Sequence, residues 1–330
     1  LHLCDRRQRQ MCIRDRVSAY WRTSMNEIRG VRKKNVVKII QSLVKQGGCT
    51  KNELVFYTGL SLSTIDSLLE EMLKSNLVIK EGYRESTGGR PSMGYQVNGE
   101  FSQTLCIYAY KHDKTITVIG RLYNLYSEKM KERRKDVSKL DYEVLCSFID
   151  EMLNAQVHTI CLSLPDSDID INIKNRYKQR ILIENNVYMG AIGAYIKHMQ
   201  YDSIVLLDSK GDSRLGIVIN GHLVEGKSSI AGQTCFLHVI NHEDYKNRRS
   251  MKGRSKRLVL ELQNIIGMLN PEAIVICAQS IDEHYVEEEL LKIFKMSDMP
   301  HLIYIDNYID EVMLGMESIS KDSLFDKMSR

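Results

Sequence analysis

The sequence is poor in the residues and patterns that mark several protein classes. Its 330 residues include only 4 Pro and 1 Trp, and its 8 Cys are scattered without a single CxxC pair. Scattered cysteines argue against a disulfide-stapled secreted domain and a cysteine-rich zinc site, and they favour a reducing cytoplasm. No apolar run approaches the roughly 18 residues of a membrane helix. The arginine-rich N-terminus lacks a following apolar stretch, so we expect no secretory signal and a cytoplasmic protein without a membrane partner.

The composition is that of an ordinary globular protein, but its charge is unevenly distributed. The chain is 43% hydrophobic and 27% charged, and its length predicts two domains or three small ones. The net charge of +4 combines +4 in residues 1–24, +4 in residues 25–99 and −4 in residues 100–330. The basic excess therefore lies within the first 99 residues, which predicts an anionic partner for that end of the chain.

Residues 1–24 have neither a helical nor a strand period. They begin with Leu and hold the only Trp, Trp21. We interpret them as a non-native or disordered leader ahead of a start at Met25. A genuine basic arm for DNA is the alternative.

Residues 25–99 are predicted to form a winged helix-turn-helix domain. Val36, Ile39, Ile40, Leu43 and Val44 recur at helical spacing and stop at Gly47-Gly48. Thr50 and Glu53 form a capping box for a second helix that ends at Gly59. Ser61 is predicted to cap a third helix, which buries Ile65, Leu68, Leu69, Met72 and Leu73.

The exposed start of the third helix carries short hydroxyl side chains that suit close approach to phosphates and base edges. Two strands then flank a glycine-rich loop, the wing, whose tip reads Ser86-Thr87-Gly88-Gly89-Arg90-Pro91. An arginine between flat glycines and a stiffening proline suits a narrow minor groove. The predicted DNA-binding residues are Thr50, Lys51, Ser61, Ser63, Thr64, Ser67 and Arg90. The acidic residues Asp66, Glu70 and Glu71 predict modest non-specific affinity, and a domain that serves protein contacts alone stays an alternative.

Residues 100–330 are predicted to form an α/β domain with mixed sheets. Extended apolar runs occur at 104–110, 115–122, 157–164, 180–184, 203–208, 214–220, 273–277 and 301–305. Helical patterns occur at 141–154, 186–199, 255–269, 283–295 and 309–320. Asn220-Gly221 is a strong hairpin signal. We interpret residues 242–257 as a polar, basic surface loop.

These residues together resemble the ROK family of repressors, open reading frames and sugar kinases. The resemblance rests on the wing tip with Tyr95, on Thr58-Gly59-Leu60-Ser61, and on Glu184-Asn185-Asn186 followed by Ala191 and Gly193. It also rests on Gly216–Gly221 with Gly226 and Ala231-Gly232, and on Leu269-Asn270-Pro271-Glu272. It implies an actin-like ATPase/sugar-kinase (ribonuclease H-like) duplicated α/β fold behind a DNA-binding domain.

Departures from the family pattern argue against phosphotransfer. The two loops that hold phosphate in the kinases correspond to Ala109–Asp113 and Lys210–Arg214 here. Together these two segments contain one glycine, although a phosphate loop needs close backbone approach. The resemblance places the catalytic Asp at Asn186, and an amide cannot act as a base at neutral pH. It places the sugar-binding Glu and a His that also ligates zinc at Gln233 and Phe236, and the clustered zinc Cys are absent. We therefore expect no catalytic residue, cofactor or metal.

Together with the predicted winged helix-turn-helix domain, the resemblance implies a dimeric or tetrameric, sequence-specific transcriptional regulator that represses carbohydrate-related genes at a double-stranded DNA operator. Its second domain is predicted to serve dimerisation, and Asn185, Asn186 and Gln233 are candidates for binding a sugar or sugar derivative as effector. The alternative for Asn185 and Asn186 is helix capping alone. A sugar kinase and an adaptor without DNA affinity stay open as other functions.

Overall fold

The computed structural model describes residues 31–84, 91–112, 114–165, 173–210, 213–234 and 250–328. These residues divide into two compact units. The N-terminal unit comprises residues up to Ile183 together with residues from Glu317 onward, and the C-terminal unit comprises Glu184–Met316. The predicted boundary between residues 99 and 100 falls inside the N-terminal unit. The predicted leader lies outside the described residues.

Residues 31–84 and 91–97, the first described part of the N-terminal unit, form three helices and a small antiparallel sheet, which we name the head. Its helices are α1 (Val31–Gln46), α2 (Lys51–Thr58) and α3 (Leu62–Lys74). Its strands are β1 (Cys49–Thr50), β2 (Val78–Arg84) and β3 (Ser92–Val97), in the spatial order β1-β3-β2. Apolar side chains from all three helices and from the sheet close one core.

Local signals in the sequence determine where the head helices begin and end. Thr50 caps α2 and forms the predicted capping box with Glu53, and Ser61 caps α3 by accepting a hydrogen bond from the Thr64 N–H. The glycine after α2, Gly59, has φ of 68°, a left-handed conformation that favours glycine. The predicted caps are therefore confirmed.

The rest of the N-terminal unit is a five-stranded sheet in the order β6-β5-β4-β7-β8. The strands are β4 (Gln103–His112), β5 (Thr115–Tyr123), β6 (Lys129–Val137), β7 (Val157–Ser163) and β8 (Arg180–Ile183). The helices are α4 (Tyr142–Asp150) and the single turn α5 (Ile173–Arg176). Apolar residues of α4 and the sheet form a core around Phe148 and Ile160, both buried.

The turn between β5 and β6 connects two strands of the sheet and also packs against the head. The side chain of Leu125 is buried in the head core. The Leu125 N–H donates to the Gly99 carbonyl at 3.1 Å, and the Tyr126 hydroxyl donates to the Val97 carbonyl at 2.8 Å. This turn ties the sheet to the end of the head.

The C-terminal unit holds a second five-stranded sheet, in the order β11-β10-β9-β12-β13. The strands are β9 (Ile204–Asp208), β10 (Arg214–Ile219), β11 (His222–Leu223), β12 (Ala273–Cys277) and β13 (His301–Ile305). The helices are α6 (Asn186–Lys197), α7 (Met251–Leu269), α8 (Glu283–Leu291) and the first part of α9 (Ile309–Met328), with a 3₁₀ turn at Met296–Asp298. The predicted Asn220-Gly221 hairpin is confirmed, since both residues have positive φ and Ile219 pairs with His222.

The interpretation of residues 242–257 as a surface loop was wrong from residue 251 onward, and the predicted helix over 255–269 begins four residues earlier than expected. Helix α7 begins at Met251, and Ser250 caps it by accepting from the Gly253 N–H. Arg257 lies on this helix and is buried. The first turns of this amphipathic helix are rich in basic residues, which is why the sequence suggested a surface loop there. Residues 242–249 lie outside the described residues.

Candidate functional site

The start of α3 presents a cluster of hydroxyl groups. The Ser61 hydroxyl lies 3.0 Å from that of Ser63 and 2.8 Å from that of Thr64. Ser63 and Ser67 are exposed, whereas Ile65 on the opposite face is fully buried. The alternation follows from the 3.6-residue helical period, which turns the apolar residues to the core and the hydroxyls outward. Four of the predicted DNA-binding residues therefore lie together.

Three of these residues, Ser63, Thr64 and Ser67, line a surface groove of about 480 Å³. Leu68 and two residues from the first turns of α1, Arg32 and Asn35, complete its lining. Neither Arg32 nor Asn35 was predicted, because a lone basic or amide residue on the polar face of a helix carries no signal of its own. The groove combines hydroxyl, amide and guanidinium donors, a set that suits phosphate oxygens and base edges.

Each acidic residue of α3 is neutralised by a neighbouring cation. Asp66 pairs with Lys51 at 2.7 Å and Glu70 with Lys74 at 2.8 Å. Arg32 pairs with Glu71. These contacts cancel the negative charge that the sequence alone places along the helix.

The remaining predicted DNA-binding residues have internal partners or lie outside the described residues. The Thr50 hydroxyl accepts from the Glu53 N–H and donates to the Glu53 carboxylate, so it is used as a helix cap. Lys51 pairs with Asp66, and this hydrogen bond raises the pKa of its ammonium group. Its Nζ also lies 5.9 Å from the centre of the Tyr95 ring. Arg90 lies outside the described residues.

A chain of polar side chains links the start of α6 to the end of β9 in the C-terminal unit. The Asn186 amide donates to the Tyr308 hydroxyl at 3.0 Å, which donates to the Asp208 carboxylate at 2.7 Å. A guanidinium nitrogen of Arg214 lies 3.7 Å from the same Asp208 oxygen. Tyr308 was not predicted, because its distance of about 120 positions from Asn186 hides the contact. The cluster lies beyond the carboxyl end of a parallel strand, where ligands bind in open α/β sheets.

The other candidate effector residues have different surroundings. The Asn185 side chain accepts from the Val187 and Tyr188 N–H groups, so this residue caps α6. The backbone of Gln233 pairs with that of Arg214, next to the polar chain. Burial and the nearby Glu225 carboxylate raise the pKa of Glu184, the residue before the cap. Phe236 lies outside the described residues.

A buried ion pair contacts the two serines that lie on either side of residues 211 and 212. Arg257 and Glu261 pair at 2.6 Å and are both buried. Glu261 also accepts hydrogen bonds from the hydroxyls of these serines, Ser209 and Ser213. The hydroxyls of both serines are therefore engaged with Glu261.

No three-residue group of His, Cys, Asp or Glu with the geometry of a metal site occurs within the described ranges. Burial raises the pKa of the Cys49 and Cys277 thiols to about 11, so neither is a ready thiolate ligand at neutral pH. Of the helices in the described part of the chain, none is long and apolar enough to cross a membrane.

Comparison with known proteins identifies relatives by sequence and by fold. No protein-family model matches the chain. The Xylose repressor of Bacillus subtilis strain 168 is 24% identical over 233 residues, covering 62% of this chain. The Xylose repressor of Bacillus spizizenii matches equally well, at 24% identity over 233 residues and with the same coverage. The chain spans 60% of the length of each.

Solved structures extend the similarity to the fold. A ROK family transcriptional regulator, described as a homologue of the E. coli MLC protein, aligns with a TM-score of 0.66 at 14% identity. The alignment covers 91% of this chain and 98% of that regulator. The ROK hexokinase of Thermus thermophilus aligns with a TM-score of 0.50 at 11% identity over 65% of this chain and 96% of its own. These matches confirm the resemblance to the ROK family and the sugar-kinase-like α/β fold.

Proposed function

We propose that the chain is a transcriptional repressor of carbohydrate-related genes. The head acts as a winged helix-turn-helix that binds double-stranded operator DNA. The C-terminal unit binds a sugar-like effector without phosphorylating it. Similarity to two Xylose repressors supports the regulatory role. The observation that carries the proposal is the groove at the start of α3, which hydroxyl groups line together with Arg32 and Asn35.

In this proposal, α3 lies in the major groove and the hydroxyls contact phosphates and base edges. The start of a capped helix also favours the negative charge of phosphate. Arg32 exchanges its partner Glu71 for a DNA phosphate, because both side chains are exposed and the ion pair between them is weak. Arg90 is proposed to enter the adjacent minor groove.

DNA binding is tested with the full chain and labelled duplexes from the region upstream of its own gene, against an unrelated duplex, over a salt series. The double variant Ser63→Ala, Ser67→Ala is expected to weaken specific binding by at least about tenfold, since each good base contact contributes about 1–3 kcal/mol. Ser297→Ala, on an exposed turn of the other unit, is the matched control. Equal binding of specific and unrelated duplexes would support the adaptor instead.

The charge pair gives a second test of the same groove. Arg32→Gln is expected to weaken binding to all sequences and to reduce the salt slope by about 1, as loss of one phosphate contact does. Glu71→Gln is expected to strengthen binding to all duplexes, because it removes the competitor for Arg32. If Arg32→Gln strengthens binding and Glu71→Gln weakens it, Arg32 does not contact the DNA.

The proposed effector site is the polar chain around Asn186, Asp208 and Tyr308, with Gln233 beside it. D-xylose is the first sugar to test by calorimetry, because the relatives are Xylose repressors. Asn186→Ala is expected to weaken sugar binding at least about tenfold. Asn185→Ala is expected to lower thermal stability instead, because Asn185 caps α6. If D-xylose binds and neither Asn186→Ala nor Asn185→Ala changes its affinity, the sugar binds at another site.

We also propose that the chain is not a kinase. Asn186 cannot serve as the base, and the hydroxyls near the replaced phosphate loop bind Glu261. Asn186→Asp is expected to show no ATP-dependent phosphorylation of xylose or glucose, because a single carboxylate does not restore a phosphate site. Turnover by either protein would favour the kinase.

The proposed assembly is a homodimer or tetramer on a palindromic operator. Two heads are needed because each recognition helix reads one half-site. Light scattering of the full chain is expected to give twice or four times its 38.1 kDa mass. A monomer that still binds a single half-site tightly would overturn this part.

A further inference from the structure

Strand β6 carries a concentration of positive charge that the charge balance of residues 100–330 conceals. Residues 129–139 contain six basic and two acidic residues, a net charge of +4, within a segment whose overall charge is −4. The strand is the edge of its sheet, and all of its residues except Lys135 and Val137 are exposed. The head is therefore not the only basic surface of the N-terminal unit.

The two carboxylates of this strand are engaged with its neighbours. Glu132 accepts from Arg121 of β5 at 2.7 Å and pairs with Lys129 at 3.0 Å, and Asp136 accepts from the Thr117 hydroxyl at 2.7 Å. Arg133 pairs with Glu151. The acidic groups therefore do not cancel the charge of the remaining cations.

Four cations of this segment have no carboxylate partner within the described part of the chain. Lys131 donates to the Glu151 backbone carbonyl at 3.3 Å, and Arg134 donates to the Tyr110 hydroxyl at 3.4 Å. Lys135 and Lys139 complete the set, which we name the basic edge (Lys131, Arg134, Lys135 and Lys139). Such cations gain most from an anionic partner, because no internal ion pair has to be broken.

The basic edge begins where the sheet meets the head. Glu128 precedes β6 directly and closes the turn that places Leu125 in the head core. From Lys129 to Val137 the strand is about 27 Å long at roughly 3.4 Å per residue. This length equals about eight base-pair steps of duplex DNA at 3.4 Å each along one strand.

We propose that the basic edge binds the phosphate backbone of double-stranded DNA that flanks the segment read by the head. The inference rests on the proposed DNA-binding function. Charge complementarity and continuity with the head favour DNA as the occupant. The basic edge adds affinity without reading sequence, since lysine–phosphate contacts carry no base information. Lysines on an edge strand also block pairing with another sheet, and the experiment separates the two roles.

The experiment compares two duplexes bound by the full chain. The short duplex is the segment of the upstream region that the edge variant described below protects from nuclease, and the long duplex adds about 12 base pairs of arbitrary sequence on each side. The edge variant is Lys131→Gln, Arg134→Gln, Lys135→Gln, Lys139→Gln. The matched control removes the same charge from exposed lysines of the other unit, Lys252→Gln, Lys256→Gln, Lys292→Gln, Lys295→Gln.

The wild type is expected to bind the long duplex more tightly and with a steeper salt slope than the short one. The edge variant is expected to lose that gain, with the slope on the long duplex reduced by about 3 to 4, about 0.9 per lost phosphate contact. It should keep the wild-type affinity for the short duplex within about twofold and its wild-type melting temperature. The control variant should match the wild type on both duplexes.

Three outcomes would overturn the proposal. If the edge variant binds the long duplex as the wild type does, the basic edge does not contact DNA. If it self-associates in light scattering while its DNA binding is unchanged, the cations protect a sheet edge. If the wild type prefers neither duplex over unrelated DNA, the proposed function itself fails, and the short duplex reveals this independently of the basic edge.

Discussion

Two candidate ligand-binding residues, Thr50 and Asn185, serve as helix caps. Thr50 was predicted to contact DNA, yet its hydroxyl both accepts and donates within the capping box of α2. Asn185 has the same position in α6, where its side chain accepts two backbone N–H groups. Serving as a cap leaves little hydrogen-bonding capacity for a ligand. At both helix starts the capping side chain is therefore assigned to structure.

Replacement of Thr50 tests this assignment. Thr50→Ala is expected to lower the free energy of unfolding by about 0.5–2 kcal/mol, because an N–H at the start of α2 loses its acceptor. Urea denaturation measures the loss, and Thr50→Ser, which keeps the hydroxyl, should retain most of the stability. An alanine variant with normal stability but weakened DNA binding would make Thr50 a DNA contact.

Breaking the buried Arg257–Glu261 ion pair from one side is expected to cost more stability than removing the Thr50 cap. Glu261→Gln leaves the buried Arg257 charge without its carboxylate partner. We expect a loss of about 3–5 kcal/mol of unfolding free energy, the range for breaking a buried pair from one side. The double variant Arg257→Met, Glu261→Met is expected to recover much of that loss in the same urea titration. A Glu261→Gln protein as stable as the wild type would show that water reaches the pair.

At the scale of secondary-structure elements, glycines set how closely helices and strands approach in the C-terminal unit. A Cβ atom on Gly193 of α6 would lie 1.8 Å from the Glu311 carbonyl oxygen of α9. One on Gly315 of α9 would lie 2.0 Å from the Met189 carbonyl oxygen. The two helices therefore cross with their backbones in contact, which positions Tyr308 next to Asn186.

Gly193→Ala is therefore expected to destabilise the protein by about 1–3 kcal/mol or more, because backbone atoms cannot give way as side chains do. Gly267→Ala is the matched control, since Gly267 lies in helix α7 with no atom within 4 Å of a built Cβ. Alanine there is expected to stabilise by up to about 1 kcal/mol through its helix propensity. Thermal unfolding of both variants measures the contrast, and similar shifts would refute a close helix crossing.

Elements with an apolar period were predictable from the sequence, and elements without one were not. The capped head helices and the Asn220-Gly221 hairpin follow from local chemistry. Strand β6 was missed because nearly all of its side chains face solvent, so no apolar alternation marks it. The first turn of α7, residues 251–254, was missed because its polar and basic side chains resemble a surface loop. The Asn186–Tyr308 contact depends on tertiary packing, which no local pattern reveals.

At the scale of the whole molecule, the sheet of the N-terminal unit contributes a turn to the core of the head. Leu125, in the turn between β5 and β6, is 2% exposed and packs among head residues. Lys321 of α9 donates to the hydroxyl of Ser127 in the same turn and pairs with Glu317 at 2.7 Å. The turn thus contacts the head core through Leu125 and helix α9 through Ser127.

The variant Leu125→Ala tests the packing of this turn in the head core. The cavity is expected to cost about 2–5 kcal/mol of unfolding free energy. If the head and the sheet unfold together, hydrogen exchange should accelerate in peptides of both, α1 and α3 as well as β5. Tyr126→Phe, which removes only the hydrogen bond to the Val97 carbonyl, is the milder control and should cost about 0.5–1.5 kcal/mol. Acceleration confined to β5 and β6 would mean that the head unfolds independently of the sheet.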